Sequence, residues 1–386
     1  MRTLDRGNQK MTSLPFLAWF YWNPPREAFS IPFFDHPVYW YGVLFVTGFV
    51  LGYFILNPIF ARFLIDSRHL SALDITDWPS ILETLRTSSS PLISQLMKQL
   101  DLSTHQQLKQ ESTPAITPAL QQGILEGLNR LLQHSSVSRS ELEQLFGKAL
   151  ATAKQTAYFL TDRLCWFVVI GTIVGARLGL VFFYEWPYFR DHPGDIIKVW
   201  QGGLASHGGF LGVIISLYLY LKYMRQWIPQ LSFLRLLDYA CIPTLLVSCF
   251  IRLGNWMNQE ILGTPTQLPW GVIFGQPADG SSPIPRHPVQ LYEAGAYLLT
   301  FFILWALWKK RLDNRPGALI GLAFIMGFGF RFVLEFWKST QESVIDSSFL
   351  QMGQLLSLPF ILVGAAFLWR ALYSPCCSTL SHRKRT

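Results

Sequence analysis

The sequence predicts an all-α polytopic membrane protein: seven transmembrane helices, an N-terminal interfacial arm, a small cap on the outer side and a helical insert on the cytoplasmic side. Two observations lead there. Of 386 residues, 50% are hydrophobic and only 15% charged, whereas soluble domains carry about a quarter charged residues. Apolar runs of about 20 residues, the length that crosses a bilayer as a helix, also recur along the chain. This excludes a disordered chain, a fibrous protein and an ordinary soluble enzyme. The net charge of +8 is scattered over segment ends and forms no nucleic-acid stripe, so anionic lipid is the expected partner of the basic residues. Cys165, Cys241 and Cys249 lie in apolar stretches and Cys376 and Cys377 are adjacent. Neither pattern has disulfide-framework or metal-ligand spacing.

In chain order, residues 1–37 form the arm, whose aromatic stretch 14–22 ends at Pro24 and Pro25. It is too short to cross and lacks a signal-peptide cleavage pattern, so it is expected to lie in the interface. The first span, 38–61, holds no charge, and its helix is expected over 38–65. Residues 66–157 are polar with helical signatures: Leu120, Ile124, Leu128 and Leu131 share one face, and Ser138 with Glu141 makes a capping box. Residues 158–263 hold spans 164–184, 202–221 and 233–252, with an interfacial segment at 186–198. Residues 264–288 are too rich in proline and glycine for a continuous helix and form the cap. Residues 289–372 hold spans 289–308, 318–337 and 349–369, and 373–386 is a basic tail. Arg62, Lys222, Arg225, Lys309, Lys310, Arg311, Arg370 and the tail's Arg383, Lys384 and Arg385 fall on one side of these spans. Positive charge is retained on the cytoplasmic side, so the C-terminus is expected inside and the N-terminus outside.

Charged residues within spans are informative because an arginine at mid-bilayer costs about 2.5–3.5 kcal/mol on the insertion scale. With this orientation Arg177, Arg252 and Arg331 fall in the outer halves of their helices. Tyr41, His207, the cluster Gln290, Tyr292 and Glu293, and Gln351 with Gln354 reach the same level. Arg177 reads either as a functional residue or as one that snorkels or pairs with an acid as a structural tie, and Asp238 and Glu335 read as structural counter-ions. His207 is followed by Gly208 and Gly209, which allow close backbone approach and leave room for a ligand. Arg252, Gly254, Asn255, Asn258, Glu260 and Gly263 place many donors and acceptors at one helix end, where a polar headgroup would satisfy them.

Five strings carry a resemblance: Gly175-Ala-Arg-Leu-Gly-Leu-Val-Phe-Phe-Tyr184, Gly202-Gly-Leu-Ala-Ser-His-Gly-Gly-Phe-Leu-Gly212, Arg252-Leu-Gly-Asn-Trp-Met-Asn-Gln-Glu-Ile-Leu-Gly263, Arg286-His-Pro-Val-Gln-Leu-Tyr-Glu293 and Met352-Gly-Gln-Leu-Leu-Ser-Leu-Pro359. In order and spacing they resemble the prolipoprotein diacylglyceryl transferase family over residues 40–368. The resemblance implies a seven-helix enzyme of the bacterial inner membrane, with the N-terminus periplasmic. Such an enzyme moves the diacylglyceryl group of phosphatidylglycerol onto the lipobox cysteine of a prolipoprotein signal peptide and releases glycerol phosphate. It places the family's histidine on His207, the phosphate-associated arginines on Arg252 and Arg331, and further functional positions on Tyr41, Asn255 and Glu260. The chain departs from the pattern at Gln259, where glycine is common, at Lys338, where arginine is usual, and in the insert 66–157.

The chemistry fits these residue types. Guanidinium groups hold phosphate oxygens through planar charge-assisted hydrogen bonds that strengthen as the leaving group gains charge. A thiol with a reference pKa near 8.5 needs help to ionise. His207 is the candidate base; alternatively the field of Arg252 lowers the thiol pKa, and the sequence leaves both open. Substrate contacts are expected at Tyr41, Arg252, Asn255, Glu260, Gly263 and Arg331, with Arg177, Asp238, Gln290, Tyr292, Glu293 and Glu335 in support. No metal or organic cofactor is required, and no nucleic acid is expected. A second reading is a transporter or lipid-binding scaffold using the same pocket without chemistry; a third makes the insert a partner-binding module.

Overall fold

The computed structural model describes residues 19–31, 36–109, 116–199, 202–339 and 351–373. Residues 14–18 of the arm, Trp200, Cys376, Cys377 and the tail's Arg383, Lys384 and Arg385 lie outside the described residues. The chain is mostly helical, and six described helices are long and apolar enough to cross a membrane. The described residues group into two compact units: Met1–Phe49 with Leu245–Ile303 and Leu322–Ala365, and Val50–Thr244 with Leu304–Gly321 and Ala366–Thr386.

The elements begin with strands β1 (Phe20–Trp22), β2 (Glu27–Ile31) and β3 (His36–Tyr39), which leads directly into α1 (Trp40–Ser67). The insert contributes α2 (Trp78–Thr87), α3 (Pro91–Met97), α4 (Leu102–Lys109), α5 (Pro118–His134) and α6 (Arg139–Phe146). Then come α7 (Ala153–Phe183), the short α8 (Trp186–Asp191), α9 (Ser206–Met224) and α10 (Phe233–Asn258). Strands β4 (Val272–Phe274) and β5 (Pro285–Arg286) precede α11 (Val289–Lys309), α12 (Ala318–Leu334) and α13 (Met352–Tyr373).

In the first unit the all-α expectation is corrected. Strand β1 pairs in parallel with β4, Phe20 opposite Val272 and Trp22 opposite Phe274, and β4 pairs antiparallel with β5. The β-branched and aromatic run Val272–Phe274 suits a half-buried strand, and its inward residues pack with Trp256 and Leu262 against Trp22. Strand β1 of the arm is thus joined to residues 272–274. Strands β2 and β3 form a separate antiparallel pair.

In the second unit α7 and α9 meet along a seam of glycines. A Cβ built on Gly179 would lie 2.6 Å from Gly208 Cα, and one on Gly175 2.7 Å from Gly212 Cα. Glycine at every fourth position lets two helix backbones approach where no apolar driving force separates lipid from protein. Two expected boundaries move. Gly202 and Gly203 adopt φ of 86° and 72°, outside helical space, so α9 starts at Ser206 and not at 202. Helix α7 starts well before 164 because Thr152 and Gln155 cap it reciprocally: the Gln155 amide donates to Thr152 Oγ1 (3.3 Å) and the Thr152 amide to Gln155 Oε1 (2.9 Å). Segment 186–198 is helix α8 followed by a short 3-10 turn, with Lys198 Nζ 2.6 Å from Asp195 Oδ1.

The insert has its own core. Leu70, Ile81, Leu96, Ile124, Leu128 and Leu142 are fully buried, with Leu120 and Leu131 at 1% exposure. The Ser138–Glu141 capping box opens α6. Asp74, 1% exposed, accepts from Arg139 Nη2 (2.5 Å), Thr156 Oγ1 (2.7 Å) and the Ser71 amide (2.7 Å). It therefore ties the start of the insert to α6 and to the first turn of α7. Removing one member of a buried ion pair costs about 3–5 kcal/mol. Asp74→Ala is expected to raise amide hydrogen exchange across 70–150 in the full-length protein; unchanged protection there would refute this role.

Candidate active site

The end of α10 is set by local backbone geometry. The Glu260 amide donates to the Asn255 carbonyl (2.9 Å) and the Gln259 amide to the Trp256 carbonyl (3.3 Å), the paired bonds of a Schellman stop. Its left-handed residue, usually glycine, is Gln259 at φ 55°. The stop turns Glu260 back over the last helical turn. There the Glu260 carboxylate accepts from Asn255 Nδ2 (3.0 Å) and Asn258 Nδ2 (2.8 Å), and the Glu260 carbonyl accepts from Gln290 Nε2 (2.6 Å).

Asn255 connects this turn to a buried ion network. Arg252 Nη1 donates to Asn255 Oδ1 (3.2 Å), and Arg252 Nε lies 3.0 Å from Glu293 Oε2. The other carboxylate oxygen of Glu293 lies 2.7 Å from Lys338 Nζ, which also reaches Glu335 Oε2 at 3.3 Å. The side chains of Glu293 and Lys338 are only 1% and 10% exposed. Two cations thus share one almost fully buried carboxylate. Tyr41 packs its ring on Gly254, where a Cβ would come within 2.7 Å of the ring. Glu293→Ala would leave Arg252 and Lys338 facing each other with one buried carboxylate fewer. A cost of about 3–5 kcal/mol is expected, read as a fall in thermal stability in detergent; an unchanged melting transition would reject the shared-carboxylate account.

The remaining expected residues divide between the two units. In the first, Arg331 is half-buried and makes no hydrogen bond or ion pair among the described residues. Tyr292 Oη accepts from Trp270 Nε1 (2.8 Å) and lies 3.3 Å from His287 Nδ1. Burial pushes the His287 imidazole below its ordinary pKa. Gly263 marks a backbone crossing: a Cβ there would meet His287, and its carbonyl accepts from Arg286 Nη1 (3.3 Å). Gln354 is fully buried, accepting from the Gln351 amide (3.0 Å) and donating to the Phe332 carbonyl (3.3 Å).

In the second unit, Arg177 donates to the carbonyls of Asp195 (2.6 Å), Gly202 (2.8 Å), Ile196 (2.9 Å) and Gly203 (3.2 Å). It ties a loop through backbone oxygens and pairs with no carboxylate among the described residues. Asp238 accepts from the Gly317 (2.6 Å) and Ile320 (2.8 Å) amides and so caps the N-terminus of α12. His207, exposed in the first turn of α9, has Nδ1 3.3 Å from Tyr184 Oη. Its neighbours Gly208 and Gly209 are buried. Gly208 packs against α7, the close backbone approach expected of it.

Lys338 as a partner of Glu293, and His287 with Trp270 around Tyr292, were not among the expected site residues. The string from Arg286 to Glu293 already pointed to that helix start. Lys338 stood out in the sequence only as a departure from the family pattern, one helical turn after Glu335.

Residues 142–370 match a family described as prolipoprotein diacylglyceryl transferase. The chain is 56% identical over 357 residues to the phosphatidylglycerol–prolipoprotein diacylglyceryl transferase of Protochlamydia amoebophila, covering 92% of this chain and 96% of that one. Proteins of the same name from Tolumonas auensis (44% over 203 residues; 53% of this chain, 76% of that one) and Chloroherpeton thalassium (41% over 210; 54% and 75%) are also similar. An alignment over 92% of this chain must include most of residues 66–157, so the Protochlamydia protein shares the insert.

Proposed function

The chain belongs to the prolipoprotein diacylglyceryl transferase family, and from that premise we propose how its residues carry out the reaction. It is a multi-pass membrane enzyme that transfers the diacylglyceryl group of phosphatidylglycerol to prolipoproteins, the first step of lipoprotein lipidation. Transport or passive lipid binding, the other reading of the sequence, finds no support. Helix α9, with 19 residues and a length of about 28 Å, is the seventh span beside the six apolar helices. The membrane is the inner membrane, with the N-terminus and cap periplasmic and the insert and C-terminus cytoplasmic, as the Lys/Arg distribution favours.

The acceptor is the lipobox cysteine of a signal peptide. Its sulfur attacks the glycerol carbon bonded to the phosphodiester oxygen. The C–S bond forms, the C–O bond breaks, and glycerol phosphate leaves with the electron pair. Arg331, unpaired among the described residues, presents its guanidinium fork to the phosphate. Arg252, oriented by Glu293 and Asn255, is the second phosphate donor. Its position is over-determined, so little reorganisation accompanies the growth of charge on the leaving group. Tyr41, Glu260 and Asn255 shape the headgroup side. His207 takes the thiol proton, with Tyr184 steadying its ring.

The observation that carries these roles is the contrast between the two arginines, one clamped in a buried network and one unpaired among the described residues. Purified protein in phosphatidylglycerol micelles with a lipobox peptide is expected to yield a thioether product and glycerol phosphate; neither product appearing would reject the reading. His207→Ala is expected to lower turnover about 10²–10⁴-fold, the usual worth of a general base. Near-normal turnover in that variant would remove His207 as the base and leave the class of reaction standing.

A further inference from the structure

Glu260 sits between two residues with left-handed backbone, Gln259 at φ 55° and Ile261 at φ 55°. A non-glycine residue in that region costs about 1–2 kcal/mol because Cβ crowds the following carbonyl, and β-branched isoleucine tolerates it worst. Such strain persists only where surrounding contacts hold it.

Gln259 supplies those contacts with its own side chain. It is completely buried. Its Oε1 accepts from the Gln276 amide at 2.7 Å, its Nε2 donates to Asn23 Oδ1 at 3.4 Å, and its carbonyl accepts from the Ala278 amide at 3.0 Å. The same loop is held from the arm side, since Arg26 Nη2 donates to the Gln276 carbonyl (3.0 Å) and the Gly275 amide to the Trp22 carbonyl (2.9 Å). Glycine at this position would satisfy the backbone without strain and keep the carbonyl bond to the Ala278 amide, but would lose both side-chain bonds.

We propose that Gln259 is a positioning residue for the transfer reaction: its side chain latches the cap loop and the N-terminal arm to the α10 stop and thereby fixes Glu260, Asn255 and, through Asn255, Arg252. The inference rests on the transferase reading above. The linkage is continuous, from Gln276 and Asn23 to Gln259, then along the backbone to Glu260, to Asn255 Nδ2 (3.0 Å), and from Asn255 Oδ1 to Arg252 Nη1 (3.2 Å). The latch acts on turnover through Arg252, not on capture of the lipid.

The test measures kcat and KM for phosphatidylglycerol per unit of folded enzyme in wild type, Gln259→Ala, Gln259→Gly, Glu260→Gln and the double variant Gln259→Ala/Glu260→Gln. Both Gln259 variants are expected to lose about tenfold in kcat, roughly 1.4 kcal/mol, with KM within about twofold of wild type. Glycine does not restore turnover even though it relieves the backbone. The double variant is expected to be no slower than Glu260→Gln alone, because residues acting through one linkage are non-additive. Wild-type kcat in Gln259→Gly would overturn the latch, and so would losses that multiply in the double variant, the behaviour of a merely structural residue. A wild-type enzyme that forms no thioether refutes the transferase reading and the latch with it, whereas an active wild type with unaffected variants refutes the latch alone.

Discussion

Arg252→Ala and Arg331→Ala are each expected to lower thioether formation about 10²–10³-fold, the loss seen when one preorganised donor to developing negative charge is removed. Their stabilities are expected to differ. The Arg252 side chain is 14% exposed and 3.0 Å from Glu293, so its removal leaves a carboxylate of 1% exposure balanced by Lys338 alone and costs up to about 3–5 kcal/mol. Arg331 has no partner among the described residues, so its removal orphans none of them. Turnover assays beside melting curves in one detergent separate the two effects. Equal destabilisation by both substitutions would contradict the committed-versus-free contrast, and full turnover in either would remove that arginine from the reaction. Arg252→Lys keeps the charge but loses the planar fork, and is expected to fall between wild type and alanine.

The second large effect concerns the α7–α9 seam. A Cβ on Gly175 would lie 2.5 Å from the Gly208 carbonyl oxygen and 2.7 Å from Gly212 Cα. These are backbone atoms of a helix, with no flexible side chain to yield. Overpacking of a tight interior costs about 1–3 kcal/mol and occasionally more; Gly175→Leu belongs at or above the top of that range and should abolish accumulation of folded protein in the membrane. Gly209→Ala is the internal comparison. Its Cβ would meet Ala176 Cβ at 3.5 Å and Thr172 Cγ2 and carbonyl oxygen at 3.8 Å, ordinary contacts, so stability should hold or rise by up to about 1 kcal/mol from helix propensity. If Gly175→Leu accumulates and melts like wild type, the helices do not meet through these glycines.

Much of this molecule could be read along the chain. Long uncharged runs such as 38–61 cross a membrane whatever their neighbours, because an unpaired peptide group in hydrocarbon costs several kcal/mol and a helix satisfies every one internally. The capping box at Ser138 and Glu141 and the buried face of Leu120, Ile124, Leu128 and Leu131 depend on residues within two turns of one another. Gln259 was visible as a departure from the family pattern, but its left-handed backbone and its bond to Gln276 were not.

Pairing across the chain was out of reach of that reading. Trp19 Nε1 donates to the Leu268 carbonyl at 3.1 Å, and no local pattern announces that the aromatic arm will complete a sheet with the cap. Nor does sequence position say that Glu293 on α11 serves both Arg252 on α10 and Lys338 after α12, or that Arg177 will spend its donors on four carbonyls and not on an acid. Membrane class follows from composition because that property sums over neighbouring residues, and the family was legible as a resemblance carried by five motifs. Charge partners and the use made of each glycine follow from which helices meet, since a buried ion takes the partner that packing brings within about 3 Å.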